Sequence, residues 1–176
     1  MNGFALYLPG PPSPQFSGKQ INRAVHLAGG RFAATLDKFG GTYSFEMWFW
    51  NGLPNDARSL TGYLFTRAGD KLAIGGSGDN PGRLVFSGLA GRTDVAPKTW
   101  NHVVLVRDGP KVSVHLNGTL EISGDAAPVA GGEIFVGGQQ DASGSLEGKI
   151  DEVAVYARAL KPDEIARGYK AINPVY

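Results

Sequence analysis

The chain contains no cysteine, which removes disulfides, thiolate metal sites and a cysteine nucleophile together. It has no run approaching the roughly 20 apolar residues of a membrane-crossing helix. An excess of charge of one sign is missing too. Lys and Arg number 17 against 16 Asp and Glu, so no broad field favours nucleic acid or an acidic membrane surface, and no basic run with interleaved aromatics occurs. Familiar catalytic signatures are also lacking: there is no H-E-x-x-H and no G-x-S-x-G elbow. His26, His102 and His115 fall in separate segments and read as structural or surface residues. The glycines of Gly76-Ser77-Gly78 do not open a helix after a strand, so a phosphate cradle is not expected there. Met1 to Pro14 lacks the basic start and apolar stretch of a signal peptide, and Pro9, Pro11, Pro12 and Pro14 would interrupt either one. Residues 1–20 read as a proline-rich linker or domain entry.

What the chain does have is punctuation. Its 26 glycines and 11 prolines are spread between short apolar runs, which predicts many turns. In Thr42 to Asn51, Tyr43, Phe45, Met47 and Phe49 fall on one face and Ser44, Glu46, Trp48 and Trp50 on the other, the pattern of a strand covered on both sides. Asn101–Arg107, Lys111–Leu116 and Thr119–Ser123 follow, divided by Asp108-Gly109-Pro110 and Asn117-Gly118. Asn-Gly is a strong hairpin signal, because a two-residue type I′ turn needs positive φ at both central residues. Further runs lie at Gly62–Arg67, Lys71–Ile74, Arg83–Ser87, Glu133–Gly137 and Lys149–Tyr156, with weaker ones at Ala24–Leu27 and Arg31–Ala34. Short strands at this spacing predict an all-β, two-sheet antiparallel sandwich and not βαβ units. One short helix is expected near Lys161–Lys170, where Pro162, Asp163 and Glu164 suit a first turn and Ile165 and Tyr169 stand four apart. It reads as an end cap.

The block Gly148 to Ile165 (G-K-I-D-E-V-A-V-Y-A-R-A-L-K-P-D-E-I) resembles the closing signature of laminin-G-like domains of the concanavalin A-like lectin and glucanase superfamily. Tyr43–Trp50 is similar to the family's early aromatic strand, and Trp100-Asn101-His102-Val103 to its W-x-H-V strand. The Asn22 to His26 segment N-R-A-V-H, the tract after Tyr43 and the run from Gly62 resemble, more narrowly, the module found in large exported proteins of planctomycete-type bacteria. The resemblance implies a jelly-roll domain over 21–172 with a tail at 173–176, monomeric as an isolated module and belonging to a larger exported (periplasmic or cell-surface) protein. It also implies calcium as cofactor, with Asp151 at the family's ligand position. The early F-D-G segment of many relatives reads Leu27-Ala28-Gly29 here, so a second acidic ligand is missing.

Hydrolases of the superfamily carry E-x-D-x-x-E, with carboxylates placed as acid and nucleophile. Glu147, Asp151 and Glu152 do not reproduce that spacing, and the chain reads as a non-enzyme. Its expected role is a binding module for a carbohydrate or glycoconjugate, the alternative being a structural or protein-interaction module that seats a neighbouring domain. Sugars stack on flat rings while amide, carboxylate and guanidinium groups take their hydroxyls. Trp48 and Trp100 are assigned to packing; Trp50, Asn55, Asp56, Arg58 and Tyr63 are the candidate site, on the sandwich rim or its concave face. An exposed Trp50 in a polar cleft would favour sugar binding, and a contiguous exposed apolar patch would favour a protein partner.

Overall fold

The computed structural model describes residues 24–37 and 40–171, together with the backbone of Ala5–Tyr7. Most of the proline-rich stretch 1–20, Asn22 and the tail 173–176 lie outside the described residues. Among those described, thirteen strands and one helix follow in chain order: β1 (Ala5–Tyr7), β2 (Val25–Ala28), β3 (Phe32–Thr35), β4 (Thr42–Asn51), β5 (Leu60–Arg67), β6 (Asp70–Gly76), β7 (Asp79–Phe86), β8 (Leu89–Asp94), β9 (Trp100–Asp108), β10 (Lys111–Leu116), β11 (Thr119–Asp125), β12 (Glu133–Val136), β13 (Glu147–Tyr156) and α1 (Pro162–Ala171). They build a seven-stranded sheet in the order β1-β2-β13-β4-β9-β10-β11 and a six-stranded sheet in the order β3-β12-β5-β6-β7-β8. Every strand pairing is antiparallel.

The alternation read in Thr42 to Asn51 sets the layering. Tyr43, Phe45, Met47 and Phe49 enter the core between the sheets, while Trp48 leaves on the opposite face and joins Trp100 and Ala24 in a separate buried cluster. Phe45 stacks on Phe65 of the facing sheet at 4.3 Å between ring centroids. Each fully buried side chain of this size contributes about 1.5–3 kcal/mol through burial. The β10–β11 turn has Asn117 at φ 51° and Gly118 at φ 78°, with Leu116 paired to Thr119, the two-residue geometry that Asn-Gly favours.

One end of the sandwich is held by a buried polar network instead of apolar contact. Asp70 accepts from Arg107 Nη1 at 2.7 Å and from the Tyr43 hydroxyl at 2.5 Å, while Arg67 stacks over the Tyr43 ring at 4.8 Å. The two arginines extend it to backbone: Arg107 Nη2 donates to the carbonyls of Ala126 and Ala127, and Arg67 donates to Gly131 at 2.9 Å and Gly40 at 2.8 Å. Burial raises the Asp70 carboxyl above the ordinary range, against the pull of Tyr43 and Arg107, and burial with the Asp70 charge holds the Tyr43 phenol well above its own. The network therefore links β4, β5, β6 and β9 to the Ala126–Gly131 segment.

Candidate functional site

The helix decides which face of the sandwich can meet another molecule. It does not cap an end, as the sequence led us to expect, but lies on the outer face of the seven-stranded sheet, where Ile165 packs on Val104 and Val106. β9 is apolar on both faces for this reason, since Val103 and Leu105 face the core. Tyr169 stacks on Trp48 at 5.8 Å and on His102 at 5.9 Å. Beneath it Glu46 bonds to His102 Nε2 and to the Tyr156 hydroxyl, each at 2.8 Å. The His102 bond, with help from Tyr156 and against burial, holds the Glu46 carboxyl below the ordinary range; burial and the Glu46 charge push the Tyr156 phenol up to about 12. In this constellation of Glu, His and Tyr the His102 ring is buried beneath the helix while Glu46 and Tyr156 remain partly exposed, and its geometry serves docking.

Among the described residues no helix lies on the outer face of the six-stranded sheet, although Thr66, Ala73 and Phe135 on that face are themselves buried. Register places Ala33, Phe135, Thr66 and Lys71 side by side across β3, β12, β5 and β6, and Tyr63, Ala73, Val85 and Ala90 across β5, β6, β7 and β8. Over the first row lies a groove of about 310 Å³, with Thr66, Lys71, Glu133 and Phe135 on its strands and Gln139 and Gln140 in its wall. That wall is part of the segment 137–146, which folds back on β5: Gly137 donates to Leu64 at 3.0 Å, Tyr63 donates to Gly144 at 2.8 Å, and Ser145 Oγ donates to Ala142 at 2.8 Å. Gly144 is required at its place by φ 57° and because a Cβ would stand 2.8 Å from the Tyr63 ring. Two cations lie over the rings of this face. The Arg31 guanidinium is 5.4 Å from the Phe135 centroid and donates to Gln140 O at 2.7 Å; the Lys71 ammonium is 5.9 Å from the Tyr63 centroid. Asp141 accepts from the Ser143 amide at 2.9 Å, and hydrogen bonds from Ser143 hold its carboxyl below the ordinary range.

The residues predicted from sequence are distributed over both sheets. Trp50 points outward from the seven-stranded sheet, partly buried against the Trp48–Trp100 cluster, with Lys149 Nζ 5.1 Å from its ring. Tyr63 points outward from the six-stranded sheet. The structure thus does not gather the five into one cleft, because the two aromatics stand on opposite outer faces. Arg58 comes near Tyr63 through a shared neighbour: it donates to Ser145 O at 3.0 Å and pairs with Glu147, while Ser145 bridges to Tyr63. Asn55 is turned inward against Gly82, whose φ of 72° and lack of a Cβ make room for the amide. Asp56 is exposed on the same loop. Sequence reasoning missed Lys71, Phe135, Glu133, Gln139, Gln140 and Arg31. Only the alternation within β12, with Ile134 and Val136 in the core, could have turned Phe135 and Glu133 outward.

Asp151 sits at a bulge between β13 and β4, its Oδ1 accepting from the Glu152 amide at 2.9 Å, and Glu152 adopts φ 50°. Calcium asks for six to eight oxygens. Among the described residues no group of three or more His, Cys, Asp or Glu comes together to hold a metal ion, so side chains alone do not form a calcium cage around Asp151.

The laminin-G-like family model described as the concanavalin A-like lectin/glucanases superfamily matches residues 30–166. The chain belongs to this superfamily. No curated protein sequence matches the chain. Among solved structures, this laminin-G-like chain is similar to domain 4 of AbnA, an extracellular arabinanase from Geobacillus stearothermophilus seen in complex with arabinotriose, at 20% identity and TM-score 0.69, covering 94% of this chain and 81% of that one. It is also similar to the binding domain of Paraclostridial Mosquitocidal Protein 1 (14% identity, TM-score 0.67, 96% and 46% covered) and to Trypanosoma rangeli sialidase (13% identity, TM-score 0.65, 86% and 28% covered). At these identities the likeness shows the fold, and the chain spans less than half of the latter two proteins. The narrower resemblance to a planctomycete-type module gains no support from these matches. Among the described residues no helix is long and apolar enough to cross a membrane.

Proposed function

We propose that this chain is a non-catalytic glycan-recognition module of a larger exported protein. The observation that carries the reading is the groove on the outer face of the six-stranded sheet, where Lys71, Glu133, Gln139 and Gln140 bring hydrogen-bonding groups of both kinds together, and where Lys71 also reaches over the neighbouring Tyr63 ring. Sugars offer a C–H face and a periphery of hydroxyls, and such a mixture fits both. The AbnA domain, seen with arabinotriose, supports the reading by analogy. The carboxylates of β13 give no support to a hydrolase, since Glu147 is engaged by Arg58 and Asp151 by the Glu152 amide.

The test is a glycan array that includes arabino-oligosaccharides, followed by calorimetry on any hit with Tyr63→Ala and Trp50→Ala. Loss of ring contact at Tyr63 is expected to weaken binding about tenfold, the equivalent of roughly 1.4 kcal/mol, while Trp50→Ala leaves it unchanged. An array without hits, or a ligand indifferent to Tyr63 and lost with Trp50, overturns the assignment.

A second reading, a protein-interaction module, has its own observation. Phe32 and Val153, 41% and 43% exposed, line one notch of about 280 Å³ with Val25, Val136 and Ile150, bordered by Asp151 and Glu152, between β2 and β13 of one sheet and β3 and β12 of the other. This is the contiguous apolar patch that favours a protein partner. If neighbouring domains of the full-length protein protect Phe32 amides from hydrogen exchange while no glycan binds, the second reading replaces the first.

A further inference from the structure

We propose that the groove selects a carboxylated sugar, its carboxylate held by Lys71 and Arg31; this deepens the glycan reading and rests on it. The reason lies in how charge is laid out across the face. Salt bridges elsewhere engage many of the arginines: Arg58 with Glu147, Arg83 with Asp94, Arg107 with Asp70, Arg158 with Glu164 and Arg167 with Asp163. Among the described residues neither Lys71 nor Arg31 has a carboxylate within 4 Å. Each is stationed over a ring: Lys71 over Tyr63 and Arg31 over Phe135, an arrangement that orients a cation without neutralising it. Arg31 spends one nitrogen on Gln140 O, and its Nε is buried with no partner. That Nε is enclosed and out of a ligand's reach, so what Arg31 offers an anion is the charge and the outer edge of its guanidinium.

The acidic groups nearby do not cancel this. Asp141 faces Lys71 closely enough to feel its charge and, held ionised by hydrogen bonds from Ser143, offsets one of the two cations and leaves the other in excess. Glu133 lies opposite Thr35, two residues along β12 from Phe135, on the side away from Arg31, which precedes β3 at the Val136 end. The groove is therefore polar along its length: at the Gln139 and Gln140 end stand Lys71 and, bound to Gln140 just outside the lining, Arg31, two cations against the single carboxylate of Asp141, and at the other end stands the Glu133 carboxylate. A neutral sugar needs no such polarity. A sugar acid does, its carboxylate at the cationic end and its hydroxyls directed to Glu133. Guanidinium and ammonium bonds to carboxylate are charge-assisted and among the stronger contacts available to a shallow site.

The experiment titrates the whole chain, by calorimetry and by NMR shifts, with a tetragalacturonate, with 3′-sialyllactose and with the carboxyl-reduced form of each. The expected result is that at least one acid binds at least about tenfold tighter than its reduced form, weakening as salt rises. The acid that binds tells a hexuronic from a sialic ligand. Lys71→Met, at an exposed position, and Arg31→Gln should each abolish that preference while the binding of the reduced form is retained. Equal or tighter binding of the reduced sugars overturns the carboxylate assignment and leaves glycan recognition standing. A preference for acid that survives both substitutions also overturns it. Failure of all four probes, together with an array without hits, removes both readings.

Discussion

Replacing Asp70 by Ala tests the network at the end of the sandwich. Asp70 and Arg107 are both fully buried, 1% and 0% exposed, and removing the carboxylate strands the Arg107 guanidinium without its counter-charge. Breaking a buried pair in this way costs about 3–5 kcal/mol. Arg107 would keep the Ala126 and Ala127 carbonyls, so the lower end applies, about 3 kcal/mol, a large share of the roughly 5–15 kcal/mol available to a domain. Urea unfolding should show a lower midpoint at constant slope, and the melting temperature should fall by roughly 6–12 °C at about 2–4 °C per kcal/mol for this size. The Asp70→Leu, Arg107→Met double variant is the control. If the penalty comes from an uncompensated charge, removing both partners restores most of the loss. A loss below about 1 kcal/mol in Asp70→Ala, or a double variant worse than the sum of its singles, would refute the reasoning. The same variant has a second readout, because Arg107 and Arg67 bond to the Ala126–Gly131 segment and Ala130 and Gly131 line the groove. Amide shifts there should follow the loss of stability.

Acid offers another test. A carboxyl whose folded pKa is depressed contributes stability that is complete above its unfolded value and is lost as pH falls through the folded one. Glu46 is of this kind, its ordinary value being 4.5, so melting temperatures should drop as pH falls below about 4.5, and Glu46→Gln should flatten that slope while lowering stability at pH 7. Asp70, raised by burial, has the opposite sign and moderates the loss; a stability that climbs steadily from pH 5 to 3 would show that Asp70 dominates. For calcium, the melting temperature in 1 mM calcium should match that in EDTA within about 1 °C, since a site filled at a hundred times its Kd would add about 2.7 kcal/mol. A rise of several degrees that Asp151→Asn abolishes would show that backbone oxygens complete a cage there.

The strands were legible where side chains alternate between two distinct environments. Thr42–Asn51 and Lys111–Leu116 have the bounds read from sequence. β8 was not read, because Leu-Ala-Gly-Arg-Thr-Asp shows no alternation; its Gly91 lies against Glu121, whose carboxylate accepts from the Arg92 and Thr93 amides at 2.8 and 2.9 Å, a tie between sheet edges that no local pattern announces. β1 falls in the proline-rich stretch read as linker and is defined by pairing with β2. The candidate site was less legible for a related reason. Trp50 and Tyr63 both look like exposed aromatics at strand ends, but which outer face each serves depends on which sheet its strand joins, and sheet membership is a long-range property. Phe135 was hidden differently, as one apolar residue in an apolar run.

Why the six-stranded sheet should carry the site follows from what the other sheet gives up. To seat α1, β4 and β9 present Trp48, Trp100, Val104 and Val106 outward, and Ser44 uses its hydroxyl to hold Leu160 N at 2.9 Å and Arg158 O at 2.9 Å. That surface is occupied by the protein's own chain. On the six-stranded sheet the corresponding outward positions are Thr66, Lys71, Tyr63 and Ala73, too small or too polar to seat a helix. Ala73, between Tyr63 and Val85, is small enough to be buried there, and the segment 137–146 raises one wall of the groove. Filling the groove from its exposed rim with Ala130→Leu leaves every polar group in place and removes the room alone. A ligand of the groove should lose binding to this variant, while a partner of the Phe32–Val153 notch should be untouched.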